Sequence, residues 1–277
     1  MSSNLTPREL LRACVTFQPG ARPLLMQTNW LMPGVEDDWL AEGATRAEIE
    51  ALFARSDARG HNLAVHSGVF PEYEARVLYE DGDVLVRTNE LGGVEKLRKG
   101  YASLALPVEF PVKTPADWAV YRERLEWTPE RLGARWVEEA RAALEAGLPL
   151  QVSLLGFFGF PRKLLGDERL CLAYYDEPAM VRDMCETYCA LALRIADEIE
   201  AAGVPVDGVF FWEDMAGKQG SLIGPRTFRE FMTPYYRQIV ARFRQSGAYH
   251  FAVDTDGNVE GLLPLFIEAG VTCLFPF

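Results

Sequence analysis

The chain has 277 residues, of which 49% are hydrophobic, 25% charged and 12% aromatic. That much apolar side chain excludes an intrinsically disordered segment and supplies a large core. Forty acidic residues against 28 basic ones leave a net charge of −12, which disfavours general binding to nucleic-acid phosphates.

The N-terminal run MSSNLTPRELLRACVTF has no secretory pattern and reads as a capped helix, with Thr6 as N-cap, Pro7 in the first turn and Glu9 closing a capping box. No stretch approaches the roughly 20 apolar residues of a membrane span. The five cysteines are scattered and odd in number, so the expectation is reduced thiols in a cytoplasmic protein. Arg22–Gln27 is a short apolar run that predicts a buried strand. Helices are expected near Val35–Leu40 and from Thr45, where Thr45 and Glu48 form a second capping box.

Residues 75–98 carry two alternating runs around Asp81-Gly82, a strong signal for a β-hairpin excursion. Thr114-Pro115 caps a further helix, and a longer one is expected from about Pro129 to Gly147. The second half changes rhythm. LPLQVSLLGFFG, VDGVFFW, YHFAVD and VTCLFPF are too apolar to alternate and resemble strands buried on both faces. Helical patterns lie between them: one opened by Glu177-Pro178 and ending near Gly203, one led by Pro225 to about Gln245, and VEGLLPLFIEAG. Alternating strands and helices argue parallel βα units, and the absence of G-x-G-x-x-G turns the choice from a Rossmann sheet to a (β/α)8 barrel. No linker or composition shift marks a boundary, so 1–277 reads as one domain.

Several local patterns are tested and dismissed. Cys185 and Cys189 are spaced i, i+4, but Val181, Met184, Cys185, Tyr188, Ala192, Ile195 and Ile199 make one apolar stripe, a core face. A C-x-x-x-C-x-x-C cluster would need cysteine where Ala192 stands. Aligning Gly257 with the sixth position of a calcium loop puts Ala252 first and Leu263 twelfth, where carboxylates are required. The loop AGKQGS lacks the glycine spacing of a P-loop.

Carboxylates at the ends of buried strands survive these tests. Asp254 and Asp256, at i and i+2, follow one strand, and Glu213 and Asp214 follow another behind Trp212. In parallel α/β proteins this is the ligand-binding edge. Only one of Glu213 and Asp214 can point inward unless the strand has already ended, and a charged group there is costly to bury without partners. Glu213, Asp214, Asp254 and Asp256 are therefore the candidate acid–base or metal-binding groups, with Asp254 and Asp256 the metal candidates for a divalent ion such as zinc or magnesium. Arg162 after the glycine-rich strand and His250 inside YHFAVD are candidates for substrate binding, as is Trp212.

GVFFWEDMAGKQGSLIGPRTFREFMTPYYRQIV resembles the strand, loop and Pro-led helix of the uroporphyrinogen decarboxylase superfamily. AVDTDGNVEGLLPLFIEAGVTCLFPF resembles its next turn, helix and strand, and LPLQVSLLGFFGFPRKLLG its glycine-rich third strand. The resemblance implies a barrel with its site at the C-terminal ends of the strands. Where the decarboxylases carry Met-Arg-Gln-Ala-Gly-Arg, this chain reads Met26-Gln-Thr-Asn-Trp30, which places Gln27, Asn29 and Trp30 at the substrate without a guanidinium. Where the corrinoid-linked methyltransferase branch holds zinc on a His-x-Cys-Gly-Asn turn, this chain reads Asp254-Thr-Asp256-Gly257-Asn258, hard oxygens in place of soft ligands.

The resemblance thus implies an enzyme acting on a carboxylated or methylated small molecule, of decarboxylase or lyase type. The alternatives are a corrinoid-dependent methyltransferase with a corrinoid protein as partner, or a non-catalytic binding protein; a homodimer fits either. By the strand count, Cys273–Phe277 is about the sixth barrel strand, with some two βα units beyond it. That strand is therefore expected at a sheet edge, with Leu274, Phe275 and Phe277 exposed.

Overall fold

The computed structural model describes residues 5–25, 31, 34–54, 56–57, 60–99 and 105–275. In chain order the helices are α1 (Pro7–Val15), α2 (Val35–Ala41), α3 (Arg46–Ala54), α4 (Pro115–Tyr121), α5 (Trp136–Glu145), α6 (Gly159–Leu165), α7 (Asp167–Asp176), α8 (Pro178–Ala201), α9 (Pro225–Phe231), α10 (Thr233–Gln245) and α11 (Leu263–Ala269). The strands are β1 (His61–Asn62), β2 (Val77–Asp81), β3 (Val84–Thr88), β4 (Val94–Arg98), β5 (Leu106–Glu109), β6 (Leu150–Leu155), β7 (Gly208–Trp212), β8 (Ala216–Gly217), β9 (Gly220–Ser221), β10 (His250–Asp254) and β11 (Cys273–Phe275).

The chain packs as two compact units, one of residues 1–59 with 72–110 and one of 60–71 with 111–277. Each is made of two separate stretches of chain, and no change in composition marks the joins. The first unit holds α1 to α3 and an antiparallel sheet in the order β2-β3-β4-β5. Thr6 and Thr45 each accept from the backbone N–H three residues on, while Glu9 and Glu48 accept from the Thr6 and Thr45 N–H groups. The hairpin forms, shifted by one residue from the expected turn. Asp81 pairs with Val84, and Gly82, at φ 55°, opens the two-residue loop because only glycine takes that conformation without strain. The expected strand over Arg22–Gln27 is not formed by Arg22–Leu25, which have no regular structure; Met26 and Gln27 lie outside the described residues.

The second unit is mixed α/β around a parallel sheet in the order β1-β6-β7-β10-β11. Among the described residues this sheet does not close on itself, and β11 pairs on one side only, with β10. Phe275 is 43% exposed and Leu274 is half-buried, while Phe277 lies outside the described residues. Leu150, Val152 and Leu154 of β6, and Val209 and Phe211 of β7, point to the buried side under the helices. The stripe on α8 is buried throughout, with Cys185 at 0% exposure and its Sγ donating to the Phe157 carbonyl, so the core reading of that cysteine pair holds.

Two long helices predicted from the sequence are broken. In place of one helix from Pro129 to Gly147 there is a short 3-10 turn, Pro129–Arg131, and then α5. There the backbone pairs with residues 64–66 instead: the His66 N–H donates to the Arg131 carbonyl, the Gly133 N–H to the Ala64 carbonyl, and Leu132 between them is extended. The Arg131 side chain is fully buried and donates to the carbonyls of Glu126, His66, Gly68 and Arg124. The Pro225-led helix likewise stops at Phe231 and restarts at Thr233, with Met232 at φ −125° between them. Pro234 has no N–H to continue the ladder from α9, so the helix restarts with the proline in its first turn.

Candidate functional site

The C-terminal ends of β6, β7 and β10 meet at one edge of the parallel sheet. The Asp254 carbonyl accepts from the N–H groups of Glu213 and Asp214, and the Thr255 hydroxyl accepts from the Met215 N–H at 3.0 Å. The β8–β9 hairpin leans on the turn after β10. Gly257, at φ 86°, lies so close that an added Cβ would sit 2.5 Å from the Ala216 carbonyl oxygen. A side chain there would push the turn off the hairpin.

Glu213 and Asp214 diverge because β7 has ended at Trp212. Glu213 turns inward and is 1% exposed. Its carboxylate accepts from the N–H groups of Phe158 (3.0 Å) and Gly159 (2.5 Å) and from the Tyr236 hydroxyl. Burial pushes its pKa up to about 7 against the pull of those hydrogen bonds. The loop Gly156–Gly159 wraps this carboxylate at distances that only glycine permits, since an added Cβ on Gly159 would lie 2.2 Å from the Trp212 carbonyl oxygen. Asp214 turns outward through a left-handed backbone conformation, φ 50°, and pairs with Arg162 at 2.8 Å. Arg162 also lies 3.6 Å from Asp167, and its Nε is buried without a hydrogen-bond partner.

Asp254 is half-buried at the tip of β10, and its pKa rises to about 6, through burial first and then the charges of Asp214 and Asp256. Asp256 is exposed on the following turn. Asp214, Asp254, Asp256, Arg162 and Trp212 therefore share one edge of the sheet, whereas Glu213 is sealed beneath it. His250 is at the far end of β10, roughly 13 Å away by the rise of a strand, and faces Gly208 across the sheet. It is buried, its Nδ1 has no partner, and burial lowers its pKa. Gln27, Asn29 and Trp30 lie outside the described residues.

Among the described residues no group of three or more His, Cys, Asp or Glu side chains is arranged to hold a metal ion. No helix among them is long and apolar enough to cross a membrane. Sequence reasoning missed the cradle of Gly156, Gly159 and Tyr236. The glycines were legible as a strand end, but Tyr236 is one aromatic among several in TPYYRQIV, with nothing local to mark it.

A parallel α/β unit whose polar side chains gather at the C-terminal strand ends defines the class of protein, a mixed α/β scaffold of the TIM type. A family model for uroporphyrinogen decarboxylase (URO-D) matches residues 107–275, more than half of the chain, and the chain belongs to that family. No curated protein matches it. Among solved structures, a methyltransferase from Methanosarcina mazei is similar in fold at a TM-score of 0.56 and 13% identity, covering 98% of this chain and 76% of that one. The carboxyl transferase domain of Rhizobium etli pyruvate carboxylase, solved with pyruvate, is 15% identical over 50% of this chain and 29% of that one. Its TM-score of 0.18 supports no structural comparison.

Proposed function

We propose that the chain is a URO-D-like carbon–carbon lyase that decarboxylates a small carboxylated molecule at the C-terminal mouth of a (β/α)8 barrel, of which the five parallel strands are part. The observation that carries this reading is the half-buried Asp254 beside the Arg162–Asp214 pair. A carboxyl group with a pKa near 6 is protonated in part just below neutral pH, and that fraction can deliver its proton to carbon. Decarboxylation needs such a donor once carbon dioxide has left and the carbanion has formed. Arg162, at the same edge of the sheet, supplies the charge for a substrate carboxylate. Glu213 acts one step back, by holding the loop that opens onto α6 and Arg162. No step is routed through a metal.

A second reading, methyl transfer with a corrinoid protein, is supported by the fold similarity to the methyltransferase from Methanosarcina mazei. One experiment separates the two. Purified protein is offered a panel of carboxylated and methylated small molecules with and without methylcobalamin. Carbon dioxide release without the corrinoid, abolished by Asp254→Asn, supports the lyase. Turnover confined to the methylcobalamin arm supports the transferase. Ligand binding with no turnover in either arm, unchanged in Asp254→Asn, supports a binding protein.

A further inference from the structure

The parallel register places Asp254 directly between Trp212 on one neighbouring strand and Phe275 on the other. Residues in register share a face, so the three side chains stand in one row on the side of the sheet away from Val209 and Phe211. Phe210, two residues before Trp212, lies below them. Its ring centroid is 4.9 Å from that of Trp212 and 6.5 Å from that of Phe275. Trp212 is 48% exposed, and the carboxylate beside it is half-buried.

We propose that Trp212, Phe210 and Phe275 with Asp254 form a subsite for an organic cation, a substituted ammonium group carried by the substrate. This rests on the strand ends being the substrate site. Aromatic faces attract a cation through their quadrupoles, and the attraction is greatest for weakly hydrated, alkylated ammonium groups. A single carboxylate in the same row adds charge complementarity that an anionic or neutral ligand would not use. The nearby charges of Asp214 and Asp256 repel an anion from this row. With Arg162 on the adjacent loop, the mouth offers opposite charges to the two ends of a zwitterion. The substrate class that follows is a small carboxylate bearing a substituted ammonium group.

The test uses choline as the cation, 3,3-dimethylbutan-1-ol as its uncharged isostere and sodium acetate as an anion, each titrated calorimetrically into the full chain. Choline is expected to bind about tenfold more tightly than the neutral isostere. Trp212→Leu, which keeps apolar bulk without a π face, is expected to erase that preference, Trp212→Tyr to retain it, and Asp254→Asn to weaken choline by a similar factor. Circular dichroism checks that each variant is folded. Equal binding of the two isosteres, tighter binding of acetate than of choline, no binding of choline, or a preference indifferent to Trp212→Leu would each overturn the subsite. The turnover panel reads the lyase reading separately. Turnover of substrates without a cation, and no choline binding, would sink the subsite alone; choline binding without turnover of any substrate would sink the lyase alone.

Discussion

A β-carbon added to Gly156 would stand 1.9 Å from the carboxyl carbon of Glu213. The loop after β6 and the acid after β7 are therefore fitted to each other, with no room for a side chain at Gly156. Gly156→Ala is expected to destabilise the protein by at least about 1–3 kcal/mol, the usual cost of overpacking. Urea unfolding measures it. Because the clash is with one side chain, Glu213→Ala in the same molecule should recover part of the loss. A double-mutant cycle showing strict additivity would argue that the two residues do not meet.

The buried Glu213 has a pKa raised from 4.5 to about 7, so the folded state holds its proton more tightly than the unfolded state. The contribution of this group to stability is then full below about pH 4.5 and is lost as pH rises through about 7. Glu213→Gln keeps the shape and removes the titration. Stability measured from pH 4.5 to 8 should fall more steeply in the native protein than in the variant, by up to about 3 kcal/mol across the range. Parallel curves would remove Glu213 as the source.

Arg131 spends its guanidinium on four backbone carbonyls while wholly excluded from solvent, and burial lowers its pKa to about 10. Arg131→Met would leave those carbonyls without their donor in a closed interior. The expected loss is about 3–5 kcal/mol, read from the denaturation midpoint, with Arg131→Lys intermediate because an ammonium has three donors and no fork.

Asp254 should appear in the kinetics. If it delivers a proton, kcat/KM falls as pH rises through about 6, where the carboxyl loses that proton. Asp254→Asn should lower the rate by about 100-fold or more and remove that limb of the profile. A profile that keeps the limb in the variant would assign it to another group.

Local signals carried much of this fold. The capping boxes at Thr6 and Thr45, the N-cap at Thr114, and the hairpin at Gly82 each involve residues within four positions of one another, so the chain states them outright. The buried strands were legible from apolar runs such as VSLL and GVFF, although in β6 only alternate residues are fully buried, against the expectation of burial on both faces. The edge carrying Asp214, Asp254 and Asp256 followed from those strands, because a parallel sheet aligns the C-terminal ends of its members.

What the chain alone did not state depends on partners far away in sequence. Arg131 reads as a helical residue, but its backbone pairs with residues 64–66 and its guanidinium with the carbonyls of His66 and Gly68, more than 60 positions earlier. Glu213 and Asp214 are neighbours with the same chemistry, and only the tertiary structure separates them. One is sealed under Gly156, Gly159 and Tyr236, and the other is turned out to Arg162. Secondary structure follows from short-range hydrogen bonding and periodicity. The direction and charge of a side chain at a strand end are set instead by which distant groups can solvate it.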